Sequence, residues 1–295
     1  MRLNIEPVKQ VPRRRLPDWF KVPAPGSEGY RDLKKLMSRL NLHTVCESAR
    51  CPNIGECWGA RTATFMILGD VCTRSCGFCA VKTGCPEGLD MEEPARVGRA
   101  AHVLGLRHVV VTSVNRDDLP DGGAAVFAET IQEIHRRCAG TNVEVLIPDF
   151  QGNWDALETV MRAGPEILGH NLETVPRLYR LMRPQAKYER SLALLRRARE
   201  MRPELPSKSG IMVGAGERLE EVRQTIRDIA GQGVRILTIG QYLQPSPQHV
   251  ALAKFYPPEV FRQLAAFARG VGFAHVESGP LVRSSYHAAD QANGV

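Results

Sequence analysis

From residue 62 onward the chain alternates short β-branched apolar runs with amphipathic stretches, a rhythm that few folds accommodate. "ATFMILG" precedes "VGRAAHVLGL", "RHVVVTSV" precedes "AAVFAETIQEIHRRC", and "VEVLIPD" precedes "WDALETVMRAG". The pattern runs on through "EILGHNLE" and "SLALLRRAREMR", "SKSGIMVG" and "LEEVRQTIRDIAGQG", "RILTIGQYL" and "PEVFRQLAAFARGVG", to a last "AHVES". Strand–helix alternation predicts a parallel sheet with helices outside it. Six or seven such units suit a barrel better than a doubly wound sheet. The expected class is α/β, a partial (β/α)6-type TIM barrel. Polar residues collect at the strand ends, as in "TSVNRDD", "PDFQGN", "GHNLET" and "GQYLQPS". In a barrel those ends share one mouth, where active sites sit.

Residues 1–60 show no clean periodicity beyond the helix-like "GYRDLKKLMSRLNL" and cannot bury much alone. The expected organisation is an N-terminal extension over 1–60, a barrel core over 61–278 and a C-terminal tail over 279–295, the two extensions covering the barrel mouth. No apolar run is long enough for a transmembrane helix, and the basic N-terminus lacks the apolar stretch of a secretory signal. A cytoplasmic location without a membrane partner is therefore expected. The net charge of +7, from 39 Lys plus Arg against 32 Asp plus Glu, favours an anionic partner without naming it. "RRR" at 13–15 reads as solvated surface, and no basic motif interleaved with aromatics points to nucleic acid.

Eight cysteines without a secretory signal argue for thiolates in metal or redox work. Six form two triplets: C-x4-C-x5-C at Cys46, Cys51 and Cys57, and C-x3-C-x2-C at Cys72, Cys76 and Cys79. Cys85 and Cys138 stand apart, the latter as a packed or surface thiol. A structural zinc site takes four closed ligands. A 4Fe–4S cluster has four corners, so three thiolates leave one iron open to a small molecule. The second triplet directly follows the first predicted strand and so faces the mouth.

C-x3-C-x2-C in that position, with Phe78 between its last two cysteines, resembles the radical S-adenosylmethionine superfamily. The resemblance implies a 4Fe–4S cluster on Cys72, Cys76 and Cys79, its open iron chelated by the methionyl amine and carboxylate. Reductive cleavage of the sulfonium would then give a 5′-deoxyadenosyl radical that abstracts hydrogen.

A narrower likeness follows. "CESARCPNIGECW", "TATFMILGDVCTRSCGFCAV", "VVVTSVNRDDLPDGG", "GHNLETV", "KSGIMVGAGE", "LTIGQYLQPS" and "SGPLVRSSYHA" resemble the lipoyl synthase family, in its order, from about residue 17 to 290. This implies a second 4Fe–4S cluster on Cys46, Cys51 and Cys57, with Ser285 of "RSSY" as fourth ligand and Ser284 as its competitor. Arg283 would steady the cluster loop or the substrate. Thr112 and Ser113 would meet the methionyl amine. Asn171 and Glu173, on one side of an extended segment, would meet ribose hydroxyls and methionine polar groups. Gly214 and Gly216 would let the adenine approach closely.

The implied activity is that of a sulfurtransferase: radical insertion of sulfur at C6 and C8 of a protein-bound octanoyl-lysine, with the auxiliary cluster consumed as sulfur donor. Implied partners are octanoylated lipoyl carrier proteins (the glycine cleavage H protein and E2 lipoyl domains) and an electron donor such as ferredoxin or flavodoxin. A monomer is expected. Cys85 replaces a basic residue and Ala215 a larger apolar one of the family pattern, away from the expected ligands. Arg116 and Asp117 are read as pairing with each other, and His170 and His287 as structural. The competing readings are another radical sulfur inserter, a two-cluster electron carrier and a zinc-stabilised RNA-binding protein.

Overall fold

The computed structural model describes residues 15–22, 24–59 and 64–292. Arg13, Arg14 and the boundary expected between residues 60 and 61 lie outside them. Among the described residues the strands are β1 (His43–Thr44), β2 (Thr64–Ile67), β3 (Val71–Cys72), β4 (Lys82–Thr83), β5 (His108–Ser113), β6 (Asn142–Leu146), β7 (Ile167–Gly169), β8 (Ser207–Val213), β9 (Ile236–Gln241) and β10 (His275–Gly279). The N-terminal helices are α1 (Glu28–Arg39), α2 (Val45–Ser48) and α3 (Ile54–Gly59). After β2 come α4 (Glu93–Leu104), α5 (Ala124–Arg137), α6 (Trp154–Arg162), α7 (Tyr179–Met182), α8 (Tyr188–Met201), α9 (Leu219–Gly231), α10 (Pro258–Gly270) and α11 (Ala288–Ala292). None is long and apolar enough to cross a membrane.

One sheet runs in the order β1-β2-β5-β6-β7-β8-β9-β10, while β3 and β4 form a separate short ladder. Every pairing from β2 to β10 is parallel. A helix crosses over between each pair of neighbours, so six strand–helix units and a seventh strand make an incomplete barrel. It stays open: β1 takes the free edge of β2 antiparallel, with His43 opposite Met66. That edge strand departs from the sequence expectation, in which the N-terminal segment only lay across the barrel.

The period of two sorts the strands. In β5 and β6, Val109, Val111, Val143 and Val145 are buried outward against the helices. His108, Glu144 and Lys208 point inward and close the barrel floor. Lys208 Nζ donates to Glu144 Oε1 at 2.7 Å and His108 Nε2 lies 3.2 Å from Glu144 Oε2. Burial pushes the Glu144 carboxyl up, but Lys208 and His108 outweigh it and hold the group below its ordinary range. The helices start on local caps: Ser27 Oγ accepts from the Tyr30 amide and Asn153 Oδ1 from the Ala156 amide.

The N-terminal segment shares the barrel's core. Leu33, Met37, Leu42 and Trp58 are buried in one cluster with Phe65, Val97 and Val109. Trp58 is wholly buried, with the Tyr30 ring 5.2 Å away. The C-terminal tail lies over this segment. Asn53 Nδ2 donates to the Leu281 carbonyl at 2.7 Å, and the Tyr286 hydroxyl donates to Glu56 Oε1 at 3.1 Å.

Candidate active site

Above the barrel floor the strand ends and both terminal segments enclose one cavity of about 500 Å3. Cys46 and Cys51 line it from one side, Cys72, Cys76 and Cys79 from another, and Arg283, Ser284 and Ser285 reach it from the tail. Cys57 stands behind them on α3. Burial first, then the nearby Cys46, Cys51 and Glu56, push its thiol up to about 12. Burial likewise raises Cys76 to about 12 and Cys79 to about 11. Such thiols stay protonated until a metal centre draws the proton off.

The cysteine loop from 72 to 79 is held from several sides. Cys72 Sγ accepts from the backbone amides of Arg74 (3.4 Å) and Asn115 (3.3 Å). Arg74, within the motif, is buried. Its guanidinium donates to both Asp117 oxygens at 2.6 and 2.8 Å and to Asp149 at 2.6 Å. Asp149 also faces Arg190 at 3.1 Å. The Gly77 amide donates to the Met182 carbonyl, and a Cβ at Gly77 would strike Val250 at 2.6 Å. His249 bridges Ser246 Oγ and the Cys79 carbonyl, 2.8 and 2.9 Å away. The tail side is tied by Thr64 Oγ1, which donates to Ser285 Oγ at 2.7 Å.

Thr112, Ser113, Asn171 and Glu173 all line the cavity. Thr112 Oγ1 donates to the Leu146 carbonyl, and Asn171 Nδ2 to Glu173 Oε1 at 3.0 Å. Glu173 shares a side with Asn171 for a reason other than extended backbone: its φ is +66°. Burial raises its carboxyl, opposed by the Arg183 guanidinium. That guanidinium is itself buried and donates to the Asn171 carbonyl at 2.8 Å.

The radical SAM superfamily matches residues 66–229, and the N-terminal domain of lipoyl synthase of that superfamily matches residues 4–51. The lipoyl synthase of Rubrobacter xylanophilus is 60% identical over 93% of this chain and 86% of its own length. That of Koribacter versatilis is 57% identical over 99% of this chain and 95% of its own length. The chain belongs to the lipoyl synthase family. Among solved structures, the FeFe-hydrogenase maturase HydG from Carboxydothermus hydrogenoformans superposes with a TM-score of 0.60 at 16% identity, covering 90% of this chain and 68% of that one. Methylornithine synthase does so with 0.53 at 16%, covering 85% and 82%. At these identities the likeness shows the fold alone.

Lipoyl synthase membership brings a 4Fe–4S group and S-adenosylmethionine, and the cavity's chemistry fits them. Ser113 Oγ, Asn115 Oδ1 and Asn171 Oδ1 are buried without a hydrogen-bond partner among the described residues. Each such group costs about 1–3 kcal/mol unless a ligand answers it. A Cβ at Gly210 would stand 2.6 Å from Thr238 Oγ1 and 2.9 Å from Asn171 Oδ1, so glycine keeps that amide accessible. Among the described residues no three Cys, His, Asp or Glu side chains converge on a single ion. Thiolates that each hold a different corner of a cubane need not converge.

Two placements differ from the sequence reading. Gly214 and Gly216 do not line the cavity. Gly214, at φ +114°, instead lets the Gln241 amide and the Lys254 carbonyl pack where a Cβ would be. Arg116 and Asp117 do not pair: Arg116 Nη2 takes Asp118 at 2.8 Å, while Asp117 belongs to Arg74. Cys85 is exposed and off the cavity, in keeping with its reading as away from the expected ligands. His170 is structural as read, its ring between the Ile147 carbonyl and Ser191 Oγ, both at 2.9 Å. Arg74, Arg183, Gly210 and His249 were not singled out from sequence. Only Arg74 carried a signal, its place between two motif cysteines.

Proposed function

We propose that this chain inserts sulfur at C6 and C8 of an octanoyl-lysine on a lipoyl carrier protein, using two iron–sulfur groups in one cavity. The observation that carries this reading is the shared space. Five cysteines from both triplets and Ser285 line the same 500 Å3, so one alkyl chain can touch both sides. Cys72, Cys76 and Cys79 would hold the radical-generating 4Fe–4S group, and Cys46, Cys51, Cys57 and Ser285 an auxiliary one. When bound, the first group with S-adenosylmethionine supplies a hydrogen-abstracting radical and the second supplies sulfide.

The protein's own part is to position and to exclude. Asn171 and Glu173 present an acceptor and a carboxylate to ribose hydroxyls and the methionyl amine, with Thr112 and Ser113 beside them. Arg183 fixes that pair through the Asn171 carbonyl. Arg283 sits by Cys51, and burial lowers its guanidinium from the ordinary value while the cysteine opposes the shift. Val45, Met66, Val114, Ile147 and Val282 give the cavity apolar walls that suit an octanoyl chain and keep water out. A carbon radical so confined meets sulfur before another hydrogen.

The carriers fitting this reading are the glycine cleavage H protein and E2 lipoyl domains, with ferredoxin or flavodoxin as reductant and a cytoplasmic monomer as the working form. Its parts are the extension over 1–60, the barrel over 61–278 and the tail over 279–295. Anaerobic reconstitution should give about eight irons per chain, about half lost when either triplet is replaced by alanine. Octanoylated H protein should then gain two sulfurs and lose two hydrogens by mass. A chain that binds one cluster only and still makes the dithiolane overturns the proposal.

A further inference from the structure

Between Cys72 and Cys79 a single residue is exposed: Ser75, bonded directly to Cys76. What surrounds it is the segment 177–190. Gln185 Nε2 donates to Ser75 Oγ at 3.2 Å, and the Ser75 amide donates to Gln185 Oε1 at 3.4 Å. The Met182 carbonyl takes the Gly77 amide at 2.8 Å, and the Leu181 carbonyl lies 2.7 Å from where a Gly77 Cβ would be. This segment therefore forms the outer wall of the cysteine loop.

Its outward chemistry is distinctive. Leu181 is 55% exposed. Arg180 and Lys187, on either side of it, are exposed and make no ion pair among the described residues. Glu189 is the one carboxylate in the segment 177–190, against four arginines and a lysine. Arg177, Arg183 and Arg190 are engaged elsewhere, by Glu221, the Asn171 carbonyl and Asp149. An apolar knob flanked in sequence by unpaired cations, in the segment that packs on the one exposed residue of the cysteine loop, matches the apolar centre and charged rim of a transient protein interface.

We propose that Ser75, Arg180, Leu181, Gln185 and Lys187 form the docking surface for a small acidic protein that carries one electron at a time. The proposal rests on the radical reading above. For each sulfonium cleaved, the carrier is oxidised by one electron and the iron–sulfur group on Cys72, Cys76 and Cys79 is reduced by that electron. Unpaired cations speed encounter with an acidic face, and the contact loses strength as salt screens it.

The test uses the full, anaerobically reconstituted chain with flavodoxin as protein donor and dithionite as small donor. Arg180→Glu with Lys187→Glu should weaken calorimetric binding of oxidised flavodoxin at least tenfold. It should slow cluster bleaching by reduced flavodoxin to the same degree and flatten its salt dependence. Bleaching by dithionite and the iron content should stay at the parent level. As a control, Arg39→Glu with Arg99→Glu reverses a second basic groove, between α1 and α4, and should change neither binding nor rate. The proposal is overturned if the first variant binds and is reduced like the parent, or if the control is slowed equally. Failure of dithionite to support S-adenosylmethionine cleavage by the parent would instead overturn the radical reading, and this surface with it.

Discussion

Thr64 Oγ1 donates a 2.7 Å hydrogen bond to Ser285 Oγ, tying the first residue of β2 to the tail 221 positions later. The bond fixes which of two adjacent serines has its oxygen held from behind while both line the cavity. On the function proposed above, Ser285→Ala should leave an auxiliary group on Cys46, Cys51 and Cys57 one ligand short, and Ser284→Ala should not. Iron analysis after desalting should give about four irons for the first variant and about eight for the second. Lipoyl product should fall at least tenfold only in the first. Thr64→Val, losing one neutral hydrogen bond, should cost about 1 kcal/mol and spare the iron count.

Two glycines separate a binding effect from a folding effect. Gly210→Ala pushes a methyl toward Thr238 Oγ1 and Asn171 Oδ1, both polar tips facing the cavity. It should weaken S-adenosylmethionine binding about tenfold, roughly 1.4 kcal/mol, with little change in melting. Gly214→Ala meets Gln241 Nε2 at 2.0 Å and demands φ +114° of an alanine. It should lower stability by about 1–3 kcal/mol. Equilibrium dialysis and thermal melts on the same samples check both, and a reversed pattern would refute the assignment.

The barrel floor gives a third expectation. Lys208→Met strands the Glu144 carboxylate in the interior with only His108 beside it. Removing one partner of a buried pair costs about 3–5 kcal/mol, whereas replacing both by apolar residues is often close to neutral. Urea unfolding of Lys208→Met should show that loss, and Lys208→Met with Glu144→Leu should recover most of it.

Acid stability should depend on His170. Burial, then the nearby Arg183 charge, lowers the ring from 6.5 to about 4 in the folded protein. Between those values the unfolded chain binds the extra proton, so stability falls as pH drops from 6.5 toward 4. The contribution is complete above 6.5. Across the window it amounts to about 3 kcal/mol. His170→Asn should flatten this limb in denaturant titrations from pH 7 to 4.5. A slope unchanged by the substitution would place the acid sensitivity elsewhere.

The rhythm from residue 62 located the seven parallel strands among the described residues and their crossover helices. A short apolar run beside each amphipathic stretch marks a strand–helix unit even where the strand, as in β7, spans three residues. β1 escaped because two residues have no period. The strand-end residues Thr112, Ser113, Asn171 and Glu173 were legible as polar groups at C-terminal ends, and all four line the one cavity. Gly214 shows that a positive φ serves internal packing as well as ligand approach, so the glycine pattern alone does not choose between them. Arg74 was invisible as a buried group, since a charged residue between cysteines reads as solvated until two distant carboxylates are brought to it. The Arg116–Asp117 reading failed because consecutive side chains diverge, whereas the turn after β5 returns Asp118 to the arginine.

The cavity wall that includes Ser285 is held by contacts between positions more than two hundred residues apart: Thr64 with Ser285, Asn53 with Leu281 and Glu56 with Tyr286. That side of the cavity therefore closes only once the segments before and after the barrel have both folded onto each other, and any loss of their contact opens it.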